Sequence, residues 1–287
     1  MKGDADTLAG GVMAVLVLYG RHVEEAAAWP VLRAWLGATS SCALRYCLIY
    51  DNSPETRIDP ATLPDNAALI HDPANGGTSA AYRAAAARAG AADCKWLLLL
   101  DQDTGLPPDY LASAGCTVAA AADAAVLVPR IRHDGLLVSP ATITPAGSIV
   151  PTDRPGKNGG MATAISSGVI VRSAVIEKVR FPAALWLDYV DHWVFLAFAR
   201  EGSSVATIDV DLAHDLSIRT PRTLSLSRVK SILAAERIFY QTLGGRARTL
   251  LPARQALRAV RYARLGRLDL AVAVLQAMIA PPRGRHQ

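Results

Sequence analysis

The chain lacks an apolar run of the roughly 18 residues that a membrane-spanning helix needs. Its four cysteines, Cys42, Cys47, Cys94 and Cys116, form no C-x-x-C pair and show no zinc spacing with histidine. A disulfide framework and a thiolate metal site are both excluded on that pattern, which reads as the reduced thiols of a cytosolic protein. No G-x-G-x-x-G follows the first apolar segment, so a dinucleotide fold of the dehydrogenase type is disfavoured. Internal repeats are missing too. Charge is scarce, 19% of residues against 51% hydrophobic, and 287 residues of this composition can bury a large core and are too apolar to be disordered. One large α/β domain with an appendage follows.

Acid is the scarcest thing in the C-terminal part. Residues 219–287 hold 14 Lys and Arg against 2 Asp and Glu, net +12, so residues 1–218, with 16 basic and 23 acidic, carry net −7. We therefore divide the chain into a unit of residues 1–218 and a basic helical region of 219–287, in which Leu, Val, Ile and Phe recur at helical spacing between arginines. That pattern leaves open a face lying on anionic lipid, a self-association surface and a plain solvated face. Nucleic acid is not an expected partner, because no recognition motif accompanies the charge. At the other end, the apolar run from Leu8 to Tyr19 is preceded by Asp4 and Asp6 and followed by Gly20-Arg21-His22, not by a small-residue cleavage site, and reads as a buried first strand.

What the sequence does contain is organised around Lys95 to Thr104. Trp96 to Leu100 is a bulky apolar run, the pattern of a strand buried on both faces, and it ends in Asp101-Gln102-Asp103. Ligands of open α/β sheets bind at that strand edge, and two carboxylates there suit a hard divalent cation. Val12 to Leu18, a helix to Leu36 and Leu44 to Tyr50 form a strand, helix, strand unit ending in Asp51-Asn52-Ser53. After a short strand to His71, Asn75-Gly76-Gly77 precedes an Ala-rich helix. The glycines either let backbone approach an anion at a helix N-terminus or make only a tight turn. Ile165 to Val171 reads as a strand with a small-residue patch, and residues 131–160 as a hairpin and loop. Within Leu185 to Arg200 a helix is expected, with Asp188 and Asp191 on one face at its start and Asp188 a candidate N-cap. Val205 to Leu212 is a last strand, followed by His214. Three helices are expected over residues 222–280, with breaks at Gly244-Gly245, Pro252 and Gly266.

Asp-Asn-Ser at 51–53, Asn-Gly-Gly at 75–77, Leu-Leu-Asp-Gln-Asp-Thr at 99–104, Ser-Ser-Gly at 166–168 and Asp-Tyr-Val-Asp-x-Trp at 188–193 come in an order that resembles family 2 glycosyltransferases. Within that family the set is most similar to bacterial rhamnosyltransferases of O-antigen and related surface polysaccharides, over about residues 12 to 216. The resemblance implies a GT-A fold, a Rossmann-like mixed sheet flanked by helices, here with a C-terminal helical appendage. It also implies a nucleotide-sugar donor (dTDP- or UDP-linked), Mg²⁺ or Mn²⁺, and inverting transfer to a saccharide or lipid-linked acceptor. The cysteine pattern makes the expected location cytoplasmic, and the basic tail allows a peripheral place on the cytoplasmic face of the inner membrane. Asp51, Asn75, Gly76, Gly77, Asp101, Gln102 and Asp103 would hold the donor. Asp101 and Asp103 would hold the metal with His214, and Asp191 would be the base, with Asp188 in reserve. The alternative is a non-catalytic nucleotide-sugar-binding scaffold on the same fold.

Overall fold

The computed structural model describes residues 8, 10–38, 44–213 and 224–279. His214 and Cys42 therefore lie outside the described residues, as does the remainder of the segment joining the sheet to the C-terminal helices.

Strands β1 (Val12–Leu18), β2 (Leu44–Asp51), β3 (Ala67–His71) and β4 (Trp96–Asp101) alternate with helices α1 (Trp29–Leu36) and α2 (Gly77–Ala91). Helix α3 (Tyr110–Ala120), β5 (Val126–His133), β6 (Leu136–Ser139), β7 (Ala141–Ile143), β8 (Ile149–Pro151) and β9 (Met161–Thr163) follow. Then come β10 (Ile170–Arg172), the single turn α4 (Ser173–Ile176), α5 (Val190–Arg200) and β11 (Val205–Ala213). The main sheet runs β11-β5-β10-β4-β1-β2-β3, with β6 added at β5, while β8-β7-β9 make a small antiparallel sheet. β1 pairs in parallel with both β2 and β4; β10 is antiparallel to β4 and β5.

The continuous apolar strands are continuous because both faces are covered. In β4, Trp96, Leu98 and Leu100 join the core under α1 and α3, while Leu97 and Leu99 join the opposite core under α2 and α5. β1 divides likewise, with Ala14, Leu16 and Leu18 on one side and Met13 and Val15 on the other. Each such leucine contributes about 1.5–3 kcal/mol by leaving water, which fixes the strand register and hence where its terminal aspartate emerges.

Among the described residues, four helices follow residue 224 where three were expected: α6 (Leu226–Leu243), the short α7 (Gly245–Thr249), α8 (Leu251–Arg264) and α9 (Leu268–Ile279). The expected breaks at Gly244-Gly245 and Gly266 are there, both with positive φ. The break expected at Pro252 is there as well: α7 ends at Thr249 and α8 starts at Leu251, with Pro252 in its first turn, where the missing N–H costs nothing. The helices share a core with the sheet domain: Phe239 and Tyr240 of α6 cluster with Leu196 of α5 and Ile143 of β7.

Two local expectations need correction. The strand predicted over Ile165 to Val171 starts only at Ile170, because Gly168 turns the chain with φ +85° and its Cα lies so close to Leu212 and Pro129 that a Cβ would collide with them. The helix expected to start at Asp188 starts at Val190, and its N-cap is Tyr189, in the left-handed region at φ 61°, so Asp188 caps nothing.

Candidate active site

Two of the carboxylates are placed by register alone. On β1, Leu18 is level with Asp51 of β2 and Val17 with Asp101 of β4, so the aspartates flank the end of β1, about 10 Å apart at strand spacing. The turn leaving β1 is latched on both sides: Tyr19 N–H donates to Gln102 Oε1 (2.8 Å) and Gly20 N–H to Ser53 Oγ (2.7 Å). Gln102 thus holds the loop rather than the cleft with its amide oxygen.

Asp51 is fully buried. Its Oδ1 accepts from the Ser53 amide at 2.9 Å and from the Ser53 hydroxyl, whereas its Oδ2, equally buried, has no hydrogen-bond partner. A buried carboxylate oxygen left without a donor is costly, by about 1–3 kcal/mol or more, and marks the place where a ligand N–H or O–H fits.

Asp101 is held from behind. The hydroxyls of Thr104 and Ser167 each donate to its Oδ1 at 2.7 Å, and its own N–H donates to Ser167 Oγ at 3.0 Å. Asp103 is more open, its side chain 39% exposed, and pairs with Arg21 at 2.8 Å. Among the described residues no group of three or more His, Cys, Asp or Glu is arranged to enclose a metal. The donor set fits a different arrangement, in which a hard cation meets one or two carboxylates and takes its other oxygens from phosphate and water. Asp103 already faces a positive charge.

The Asn75-Gly76-Gly77 loop is built for its own backbone. Gly76 N–H donates to Asp72 Oδ2 (2.8 Å) and Gly77 N–H to Asn52 Oδ1 (2.9 Å), so both amides are turned to protein acceptors. Asn75 takes φ 53° and Gly77 φ 72°. A Cβ on Gly77 would stand 2.3 Å from the Trp186 carbonyl oxygen, which also accepts from Ser79 N–H at 3.2 Å. Tight backbone packing therefore accounts for the glycines.

Asp191 lies in the first turn of α5, where the helix dipole favours a carboxylate. The Ser166 hydroxyl donates to its Oδ1, and Tyr82 OH lies 2.6 Å from Ser166 Oγ. Since the one hydroxyl proton of Ser166 goes to Asp191, Tyr82 is the donor of the pair. Burial, followed by the charge of Asp191, pushes the Tyr82 phenol well above its usual pKa, which keeps that proton in place. Asp188 points elsewhere. Its side chain is 4% exposed and bonds Arg228 (2.8 Å) and Ser231 (2.9 Å) of α6. Burial lifts its carboxyl above the usual value, against the pull of Arg228 and then Ser231. The structure thus brings Asp51, Asp101, Asp103 and Asp191 to one sheet edge and assigns Asp188 to the junction with the helices.

Ser166, Ser167, Tyr82, Thr104 and Arg21 carry the site without having been assigned roles from sequence. The Ser-Ser-Gly motif was visible there; Tyr82 was hidden in an Ala-rich helix, and Arg21 looked like a turn residue.

The fold is the GT-A glycosyltransferase arrangement, a mostly parallel sheet flanked by helices. It is similar to S. aureus TarS 1-349 (TM-score 0.52, 12% identity, covering 93% of this chain and 91% of that one) and to the same protein in complex with UDP (TM-score 0.53, 14% identity, the same coverage). It is also similar to GalNAc-T7 with UDP, GalNAc and Mn²⁺ (TM-score 0.54, 9% identity, 81% of this chain and 48% of that one). No family model and no curated protein matches the sequence.

Proposed function

We propose that the protein is an inverting, metal-dependent glycosyltransferase that moves a sugar from a nucleoside diphosphate to a saccharide or lipid-linked acceptor. Residues 1–218 would be the catalytic unit, with 219–287 as its appendage. The observation that carries this reading is the joining of Asp101 and Asp191 through adjacent hydroxyls, those of Ser167 and Ser166. A carboxylate suited to the donor side and one suited to the acceptor side are thereby held at a fixed separation.

In this reading the unpartnered Oδ2 of Asp51 accepts from the base or ribose of the nucleotide. Asp103, with Asp101, would hold Mg²⁺ or Mn²⁺, which supplies charge neutralisation for a leaving diphosphate. Arg21 would exchange Asp103 for phosphate oxygen when the donor binds. Asp191 takes the proton of the acceptor hydroxyl, a contribution of about 10² to 10⁴ in rate. A single displacement requires one such base and no enzyme nucleophile, unlike the carboxylate pair of a retaining glycosidase. The likeness to rhamnosyltransferases makes dTDP-rhamnose the first donor to try, and the UDP and UDP-GlcNAc bound to TarS make UDP-sugars the second.

The test is thermal shift and donor turnover with dTDP-, UDP- and GDP-sugars, with and without Mn²⁺, since a ligand that binds only the native state raises its apparent stability. Metal-dependent turnover that is lost in Asp103→Ala and Asp191→Asn is expected. Metal-dependent turnover retained in Asp103→Ala overturns the metal assignment, and donor binding without turnover across acceptors favours the scaffold alternative.

A further inference from the structure

The α8–α9 hairpin turns an aliphatic face outward. On α9, Leu268, Val272, Leu275 and Ile279 are 64%, 51%, 48% and 86% exposed, at spacings of four, three and four that place them in one line along the helix. On α8, Leu257 and Val260 are 71% and 49% exposed and share their face with the exposed Arg261 and Arg264. The two helices pack against each other and are joined at Gly266, so residues equally far from that glycine stand at similar heights, Val260 with Val272 and Leu257 with Leu275. The inner sides of the same helices are already occupied, with Ala259, Tyr262, Leu270 and Val274 packing on Val229 and Leu233 of α6. The aliphatic surface runs on into a groove of about 410 Å³ between α6 and α9, lined by Leu226, Lys230, Leu268 and Val272.

Charge selects what can cover this face. The described part of the appendage, residues 224–279, holds ten Lys and Arg and two acids. Both acids are committed within it, Glu236 to Arg258 at 2.6 Å and Asp269 to Arg267 at 2.9 Å. A second copy would bring the same uncompensated cations against these, whereas an anionic bilayer offers phosphates to the arginines and acyl boundary to the aliphatic side chains. We propose that the outer face of the α8–α9 hairpin docks on anionic phospholipid membranes, with Leu257, Val260, Leu268, Val272, Leu275 and Ile279 entering the headgroup boundary and Arg261 and Arg264 meeting phosphate. This surface is independent of the glycosyl-transfer reading and stands whether or not that reading does.

The experiment is co-sedimentation of the full chain with vesicles of phosphatidylcholine alone or mixed with phosphatidylglycerol, over a range of salt. Binding to the anionic vesicles that weakens with salt is expected. It should fall at least about tenfold in Arg261→Glu with Arg264→Glu, which removes two cations from the surface, and by a similar factor in Leu268→Ser with Leu275→Ser. All four side chains are exposed, so each variant should melt close to the wild-type temperature. The more conservative Arg261→Gln with Arg264→Gln provides the same comparison should either of the others fail to fold. Equal binding to neutral and anionic vesicles, no binding to either, or a concentration-dependent dimer in lipid-free solution that these substitutions abolish would each overturn the proposal.

Discussion

Ser166 and Ser167, neighbours in the chain, turn their hydroxyls to opposite halves of the site, Ser166 to Asp191 and Ser167 to Asp101. The split should be separable by kinetics. Ser166→Ala is expected to lower kcat about 10- to 100-fold with donor affinity unchanged, since a hydrogen bond to a charged group contributes about 1.5–3 kcal/mol. Ser167→Ala should instead weaken donor binding. Steady-state kinetics with nucleotide titration distinguishes the two, and Ser166→Thr should restore much of kcat.

Asp188 and Asp191 should exchange their phenotypes on substitution by Asn. Asp188→Asn leaves the partly buried Arg228 without its counter-charge, so it should cost about 1–3 kcal/mol and lower Tm, with kcat changed only a few-fold. Asp191→Asn should keep Tm and lose about 10²-fold or more in kcat. Melting curves beside initial rates read both.

Glu236 joins the helices to the site. It is 2% exposed, accepts from both Nη atoms of Arg258 (3.1 and 2.6 Å) and from Gln255 (3.0 Å), and also accepts from Tyr189 OH (3.1 Å). Breaking a buried ion pair from one side typically costs 3–5 kcal/mol. Glu236→Ala is therefore expected to unfold at much lower denaturant concentration than wild type, and, because Tyr189 sets the start of α5, to lose activity under conditions where it remains folded. A chain cut before residue 224 should not fold to the native sheet domain, as near-ultraviolet circular dichroism would report.

His192 makes stability depend on pH. Its ring packs against Tyr189 and Phe239, bonds Thr163 at 2.7 Å, and burial pulls its pKa from 6.5 to about 4. The unfolded chain takes up a proton first as pH falls. The stability that the neutral ring contributes is therefore complete above pH 6.5 and is lost as pH drops toward 4. The loss is on the order of 3 kcal/mol. Denaturant melts across this range should show that slope in wild type and a shallower one in His192→Gln.

Much of the sheet was legible because strands covered on both faces must be continuously apolar, so Val12–Leu18 and Trp96–Leu100 announced themselves, and with them the aspartates at strand ends. Contacts between distant elements were not. Asp188 and Asp191 look equivalent at a spacing of three, and only the left-handed turn at Tyr189 and the presence of α6 beside it separate a structural carboxylate from a candidate base. The small residues at 165–168 carried the wrong local signal: strand-like apolar neighbours concealed a loop whose Gly168 is fixed by Leu212 and Pro129. The pairing of Arg21 with Asp103 has no trace in either segment alone.

The contact of Gly77 with the Trp186 carbonyl has a mechanical meaning. The loop after β3 flanks the buried Asp51, and the segment around Trp186 leads into the helix that carries Asp191. With Ser79 N–H bonded to the same carbonyl and no room for even one methyl group between them, the two segments are packed backbone to backbone. A displacement at the Asp51 side should therefore be passed to the Asp191 side through this contact.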